Sequence, residues 1–466
     1  MKMKVALVSP PFLKDYMRNA RCDFVSLSGT QWYPIWLGHL GALLESKGYD
    51  VLFIDAPAYR LSHEQTRILL AHFRPDAVVI YSGRLSEDND IAFADHIVKE
   101  LGIVGVFVGP YASCRPDQML RKSQYVVRAV KGEFEYPVLE LLEGNAESSI
   151  ANLTYKNGDQ VYSNAQRPLL STKELDALPF VAPFFKKHLD FKRYKTVSEY
   201  YPFIDIMTGR GCNWGLCTYC LWVHTFIEGR TYQTRSVENV IEELKYVACC
   251  LPEIRSVMIQ DDTLTASRAK ILSEAIIVAG LKLTWSCYAR ANIPYDTLAL
   301  MKKAGCRNLH VGYESASQEI LNHIRKGLTK DHMTQFTFHA RKAGLRIHGD
   351  FAIGFPGETI GSIRDTVQWA CDMRPDTAQF QLMIPFPGTP FYDELNANGF
   401  LKDGMPNYPG ASKEEMEKLV RAAYRKFYIS LPYLKQVLKH PHELLFSRLD
   451  TYFKALPAMF WRKYQR

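Results

Sequence analysis

The chain of 466 residues has no long hydrophobic run; no apolar stretch approaches the roughly 18 residues that a membrane span needs. Its opening, MKMKVALVSPPF, sets lysines before apolar residues, but the run stops at Pro10-Pro11. That is too short for the core of a signal peptide and reads as a first strand. A disulfide framework is also missing. Seven of the ten cysteines are scattered over a long chain, whereas such frameworks belong to short secreted chains with regular spacing, so a reducing, cytoplasmic compartment is expected. No G-x-G-x-x-G follows any strand-like run, which removes the main support for a bound dinucleotide. The body of the chain carries no net charge. All of the formal +8 sits in residues 421–466, where ten Lys/Arg face only Glu443 and Asp450. With a neutral body and no nucleic-acid module, no nucleic acid is expected as a partner.

What is present is ample apolar material, 47% of residues, and a length that suggests two or three domains. In residues 1–145, short apolar runs (KVALVSPP, DVLFIDAP, AVVIYSG, VGVFVGP) alternate with amphipathic stretches such as WLGHLGALLESKGY. That alternation predicts an α/β domain of Rossmann-like type, a parallel sheet with helices on both faces and ligands at the carboxyl ends of its strands. Residues 146–200 read as a hairpin around Asn157-Gly158 and a connector. Residues 201–400 alternate again through six strands (FIDIMTG, SVMIQDD, LTWSCYAR, NLHVGYES, RIHGDFAIG, AQFQLMIP), enough for a partial (β/α)6 barrel with its chemistry at the strand ends. Residues 401–466 read as a basic, aromatic, helical C-terminal region. Its cations interleave with Tyr424, Phe427, Tyr428, Tyr433, Phe446, Tyr452, Phe453, Phe460, Trp461 and Tyr464, a composition suited to peripheral contact with a membrane surface or a lipid substrate, although aromatics at helical spacing also pack onto a protein body.

The chemistry concentrates in Thr208–Trp222, TGRGCNWGLCTYCLW, where Cys212, Cys217 and Cys220 follow the first barrel strand. A structural zinc site wants four ligands, and no second C-x-x-C exists. Three thiolates on a four-iron cluster leave one iron open for chemistry. Gly209, Gly211 and Gly215 let the backbone approach such a cluster closely. The plain alternative is three buried thiols in a strand-end loop.

This loop resembles the cluster loop of the radical S-adenosylmethionine (SAM) superfamily. Tyr219 stands at the family's aromatic position before the last cysteine, and four residues rather than the usual three separate Cys212 from Cys217. SVMIQDDTLTA, with Asp261 and Asp262, resembles the segment near the methionine amino group; VGYES, with Glu314 and Ser315, the ribose segment; IGFPGET, with Ile353 and Gly354, the adenine segment; and MIPFPGTPFYDEL, with Pro385, the sixth strand. VVRAVKGEFEYPVLELLEG and AAYRKFYISLPYL resemble the subgroup with a cobalamin-binding domain, and WYPIWL, LPFVAP, YQTRS and IHGDFAIGFPGET resemble its hopanoid-biosynthesis branch, which forms a cyclitol side chain.

The resemblance implies a [4Fe-4S] cluster on the three cysteines, SAM on the open iron, and a reducing electron donor such as flavodoxin or ferredoxin. It implies hydrogen abstraction from a lipid or small-molecule substrate by a 5′-deoxyadenosyl radical, followed by rearrangement or cyclisation. The D-x-H-x-x-G that would supply an axial histidine to cobalamin is absent, the first loop reading SPPFLKDY. Cobalamin could bind without it, or the sheet could be a scaffold. Two other readings stand beside this one: a cobalamin-dependent radical SAM methyltransferase, and a non-catalytic iron–sulfur electron carrier or sensor. Asp261 and Asp262 could cap the next helix or face the pocket, Arg290 could form a surface ion pair or meet the SAM carboxylate, His310 reads as a core histidine, and His348 and Asp350 could face substrate.

Overall fold

A computed structural model describes residues 2–18, 23–26, 29–227 and 229–439. The N-terminal sheet contains β1 (Lys4–Ser9), β2 (Asp50–Asp55), β3 (Ala77–Tyr81), β4 (Val104–Val108), β5 (Arg128–Val130), β6 (Leu153–Asn157) and β7 (Gln160–Ser163). Their order across the sheet is β2-β1-β3-β4-β5-β6-β7. The first five are parallel, and β6 and β7 add on antiparallel. The hairpin expected within a connector is therefore the outer part of this sheet. Ala77–Tyr81 is buried at every residue, because helices cover both faces, and this is why the inner strands read as continuous apolar runs. The order 2-1-3-4-5 reverses direction between β1 and β3, the crevice where doubly wound sheets take ligands.

The second sheet is the barrel: β8 (Phe203–Ile206), β9 (Ser256–Leu264), β10 (Trp285–Ala289), β11 (Cys306–Glu314), β12 (Arg346–Ile353) and β13 (Thr377–Leu382). All six strands are parallel and lie in sequence order, so the barrel is open between β8 and β13. An open edge leaves backbone groups unpaired. At β13 two tyrosine hydroxyls meet them: Tyr428 accepts from the Ala378 amide at 2.9 Å and donates to the Ala378 carbonyl at 2.8 Å, and Tyr424 accepts from the Phe380 amide at 3.2 Å. Both come from the helix Lys413–Tyr428, which Ser412 starts with a capping box. These aromatics, with the buried Phe427 and Tyr433, belong to the barrel wall and not to a membrane-facing surface. The expected tail contact through residues 445–466 lies outside the described residues. No helix among the described residues is long and apolar enough to cross a membrane.

One apolar core runs through both sheets, joining Val5, Trp36 and Phe134 on one side to Phe226, Val257 and Phe380 on the other. A second, smaller core lies on the opposite face of the N-terminal sheet, around Val8, Ile80, Ile97 and Phe107.

Candidate functional site

The cysteine loop begins where β8 ends. Gly209–Gly211 pairs antiparallel with Tyr232–Thr234, which bends the chain back sharply. Gly211 has φ +92°, and a Cβ there would run into the Thr231 carbonyl oxygen. Asp261, buried on β9, accepts from the Thr208 amide and hydroxyl at 2.6 Å each and from the Gly209 amide at 3.0 Å. Asp262 accepts from the Gly211 amide at 2.7 Å. The two aspartates thus brace the loop from below. Of the two readings open for them, helix capping does not hold: Ala266–Val278 is capped by Thr265.

Beyond the turn, the Cys217 carbonyl receives His224 Nε2 at 3.0 Å, and Thr218 joins the Ile324 carbonyl and the Phe391 amide through its own backbone. The loop is therefore tied to three other segments before any metal arrives. Burial pushes the Cys220 thiol up to about 12. Burial also raises Cys217, against the pull of the Lys326 and Arg290 cations. A metal must displace protons here, so loading is favoured by rising pH. Ligands of one tetrahedral zinc, with bonds of about 2.3 Å to sulfur, lie within about 4 Å of each other. Among the described residues, the group whose three ligand atoms all lie within 4.8 Å is His310, His348 and Asp350; the cysteine triplet is not such a group.

At the end of β11 a bulge between Gly312 and Glu314 turns Glu314 into the left-handed region, φ +65°. Its Oε1 accepts from the Tyr219 hydroxyl at 2.8 Å and from Lys326 Nζ at 2.8 Å. Both carboxylate and ammonium are buried. Arg290 Nη2 donates to the Lys326 carbonyl at 2.7 Å, and its guanidinium lies 4.8 Å from the Trp214 ring. Trp214 Nε1 in turn donates to the Arg325 carbonyl at 2.9 Å. Tyr219, Arg290 and Glu314, found by sequence, are thereby brought into one cluster. Lys326, Trp214 and Arg325 complete it and were missed: Lys326 and Arg325 sit in an ordinary loop with no motif, and Trp214, although inside the cysteine loop, has a partner that spacing alone does not reveal.

Gly354 has φ +104°, with Ile353 buried before it. Buried Glu358 accepts from the Gly354 and Phe355 amides at 2.6 and 3.1 Å, and the Tyr408 hydroxyl donates to the Gly354 carbonyl at 2.8 Å. Burial lifts the Glu358 carboxyl to about 7. Phe355 reaches back to Tyr219, ring centroids 5.2 Å apart. Pro385 is buried in the loop after β13. Ser315 is fully buried with its hydroxyl 3.3 Å from Thr366 Oγ1 on the neighbouring helix. His310, His348 and Asp350 lie deeper, on β11 and β12.

Residues 206–370, most of the barrel and the whole cysteine loop, match the family model of the radical SAM superfamily. The protein is a radical SAM enzyme. Such an enzyme takes a [4Fe-4S] cluster and SAM, acts on a small-molecule substrate and needs an electron donor. Over 97% of this chain and 99% of the relative, it is 29% identical to an uncharacterised methyltransferase of Pyrococcus horikoshii. It is 24% identical, over 91% of this chain and 79% of the relative, to an anaerobic magnesium-protoporphyrin IX monomethyl ester cyclase of Rubrivivax gelatinosus. Among solved structures, the radical SAM methyltransferase TsrM from Kitasatospora setae, with cobalamin and a [4Fe-4S] cluster bound, superposes with a TM-score of 0.67 at 19% identity, over 90% of this chain and 85% of that one. That likeness is one of fold: both parts of this radical SAM enzyme, sheet and barrel, have counterparts there. None of these three names carries the hopanoid likeness expected from the sequence.

Proposed function

We propose that this radical SAM enzyme is a cobalamin-dependent methyltransferase acting on an unactivated carbon. The observation that carries the reading is the end-to-end match with the P. horikoshii methyltransferase, which includes the N-terminal sheet as well as the barrel. The fold shared with TsrM supports it. The hopanoid-type rearrangement finds no support among these relatives.

The residues fit the groups this function needs. Cys212, Cys217 and Cys220 would hold three irons of the cluster on the braced loop. Glu314, oriented by Tyr219 and Lys326, and the Gly354 turn held by Glu358 would line the SAM side of the barrel mouth. For cobalamin, the crevice between β1 and β3 is the place such a sheet offers. Arg18 lies there, its guanidinium donating to the Pro10 carbonyl at 2.5 Å and to Asp90 at 2.5 Å, while its buried Nε has no hydrogen-bond partner among the described residues. A corrin amide carbonyl would satisfy that donor. When bound, the cluster and SAM supply a carbon-centred radical by one-electron cleavage of the sulfonium bond, and cobalamin supplies the methyl group. The chain's own task is to position these groups and exclude water, and the buried Glu314–Lys326 pair and the Tyr219–Phe355 contact close the mouth on one side.

The test is anaerobic. Reconstituted protein reduced with dithionite and given SAM should form 5′-deoxyadenosine, and a Cys212→Ala/Cys217→Ala/Cys220→Ala variant should form none. The ultraviolet–visible spectrum of the same sample should show bound cobalamin. Cleavage without any affinity for added cobalamin would shift the assignment to rearrangement or cyclisation. No cleavage by an intact, reduced cluster would leave an electron carrier.

A further inference from the structure

We propose that His310, His348 and Asp350 bind a divalent first-row metal ion inside the barrel, separate from the cysteine loop. β11 and β12 are adjacent and parallel, and their register sets His310 beside His348 and Gly312 beside Asp350. Side chains two apart on a strand share a face, so the three residues form one patch on neighbouring strands. Their ligand atoms all lie within 4.8 Å of one another. His348 Nε2 is 3.5 Å from Asp350 Oδ1. That is the edge of a tetrahedron with metal–ligand bonds of about 2.0–2.2 Å, and is longer than a good hydrogen bond between the same atoms.

The surroundings are those of a metal site. A ligating imidazole usually has its second nitrogen engaged by an oxygen that fixes the tautomer. His348 Nδ1 is 2.7 Å from Thr377 Oγ1, which leaves Nε2 for the lumen. His310 Nε2 lies 3.6 Å from Glu199 Oε1, beyond a hydrogen bond but within reach of the carboxylate's charge, and Glu199 is itself held by the Ser256 and Ser286 hydroxyls at 3.1 and 3.0 Å. Both histidines are buried, the rings 4.8 Å apart, with Trp32 and Tyr288 against His310. Two imidazoles and one carboxylate suit zinc, iron(II) or cobalt(II) and leave at least one coordination position open. His310 stands four residues before Glu314, about 13 Å of strand deeper into the barrel. An ion there would hold a substrate through an oxygen atom, below the groups at the mouth. This does not depend on methyl transfer being the reaction.

The test uses the anaerobically reconstituted holoenzyme, with iron and sulfide quantified, cleared of loose metal by a chelator and dialysed against Co²⁺ at tens of micromolar. The expected result is one Co²⁺ per chain beyond the cluster, with the weak visible bands of nitrogen and oxygen ligands. His348→Gln and Asp350→Asn should each weaken binding at least tenfold with iron and sulfide content unchanged, and Thr377→Val about tenfold. A holoenzyme that takes up no Co²⁺, intense thiolate bands in the near ultraviolet, or variants that bind as tightly as wild type would overturn the proposal. If His348→Gln does not fold, the half-buried Asp350 position and the wild-type titration still decide it.

Discussion

Glu314 shows how much one residue carries here. Its left-handed backbone is strained for any residue but glycine, and its carboxylate is buried against Lys326 and Tyr219. Removing one partner of a buried ion pair leaves an uncompensated charge, which costs about 3–5 kcal/mol. Lys326→Met should therefore lower unfolding stability by that order and weaken SAM binding, and Glu314→Gln, which keeps an acceptor for Tyr219 but strands the buried Lys326 ammonium, should cost a similar amount. Denaturant unfolding and equilibrium dialysis with SAM measure the two effects. Glu358 gives a pH signature. Burial raises its folded value from 4.5 to about 7. A raised carboxyl contributes stability that is complete below the unfolded value and lost as pH rises through the folded one, so the loss falls between about pH 4.5 and 7. Glu358→Gln should flatten that part of the stability curve, worth about 3 kcal/mol at 1.36 kcal/mol per unit. Identical pH slopes in wild type and variant would reject the buried-carboxylate argument.

Elements were the most legible level. All six barrel strands lie where alternating apolar runs placed them, because each strand is buried and its flanking Gly, Pro and polar residues end it abruptly. Periodicity says nothing, however, about which strand lies beside which, or what a strand-end side chain turns toward. Asp261 and Asp262 were readable as polar strand-end residues, but their bonds run to the loop after a different strand, 51 to 53 positions away. Tyr424 and Tyr428 follow helical spacing, and the open edge of β13 explains what their hydroxyls meet. Two predictions test these elements. Gly211→Ala should prevent the turn that Thr231 crowds, and iron content after reconstitution should fall well below wild type while the rest of the fold survives. Tyr428→Phe removes both bonds to Ala378, leaving edge groups unmet at about 1–3 kcal/mol. It should lower the melting temperature and promote aggregation through β13.

At the scale of the molecule the question is whether the N-terminal sheet and the barrel are independent. Arg210, between two glycines of the cysteine loop, answers it. It is almost fully buried, and its two terminal nitrogens meet Glu133 at 2.7 Å and Glu135 at 2.6 Å, on the segment that follows β5. Its guanidinium also lies 4.2 Å from the Trp36 ring, which stacks on Trp222 just beyond Cys220. Two buried carboxylates raise the arginine pKa further, so it stays charged. The cysteine loop is thereby clamped to the first sheet by charge and by aromatic packing. Composition could not reveal this, because the partners are 75 to 77 residues apart and each looks unexceptional alone. Arg210→Met keeps the packing volume but strands two buried acids, at a cost of about 3–5 kcal/mol. Because one apolar core spans both sheets, this loss should appear as a single transition shifted to lower denaturant, read identically by tryptophan fluorescence and by far-ultraviolet circular dichroism. The iron content of the variant should fall with it. Two separated transitions, or a variant that loses iron with no loss of stability, would mean that the clamp acts on the loop alone and that the two sheets fold apart.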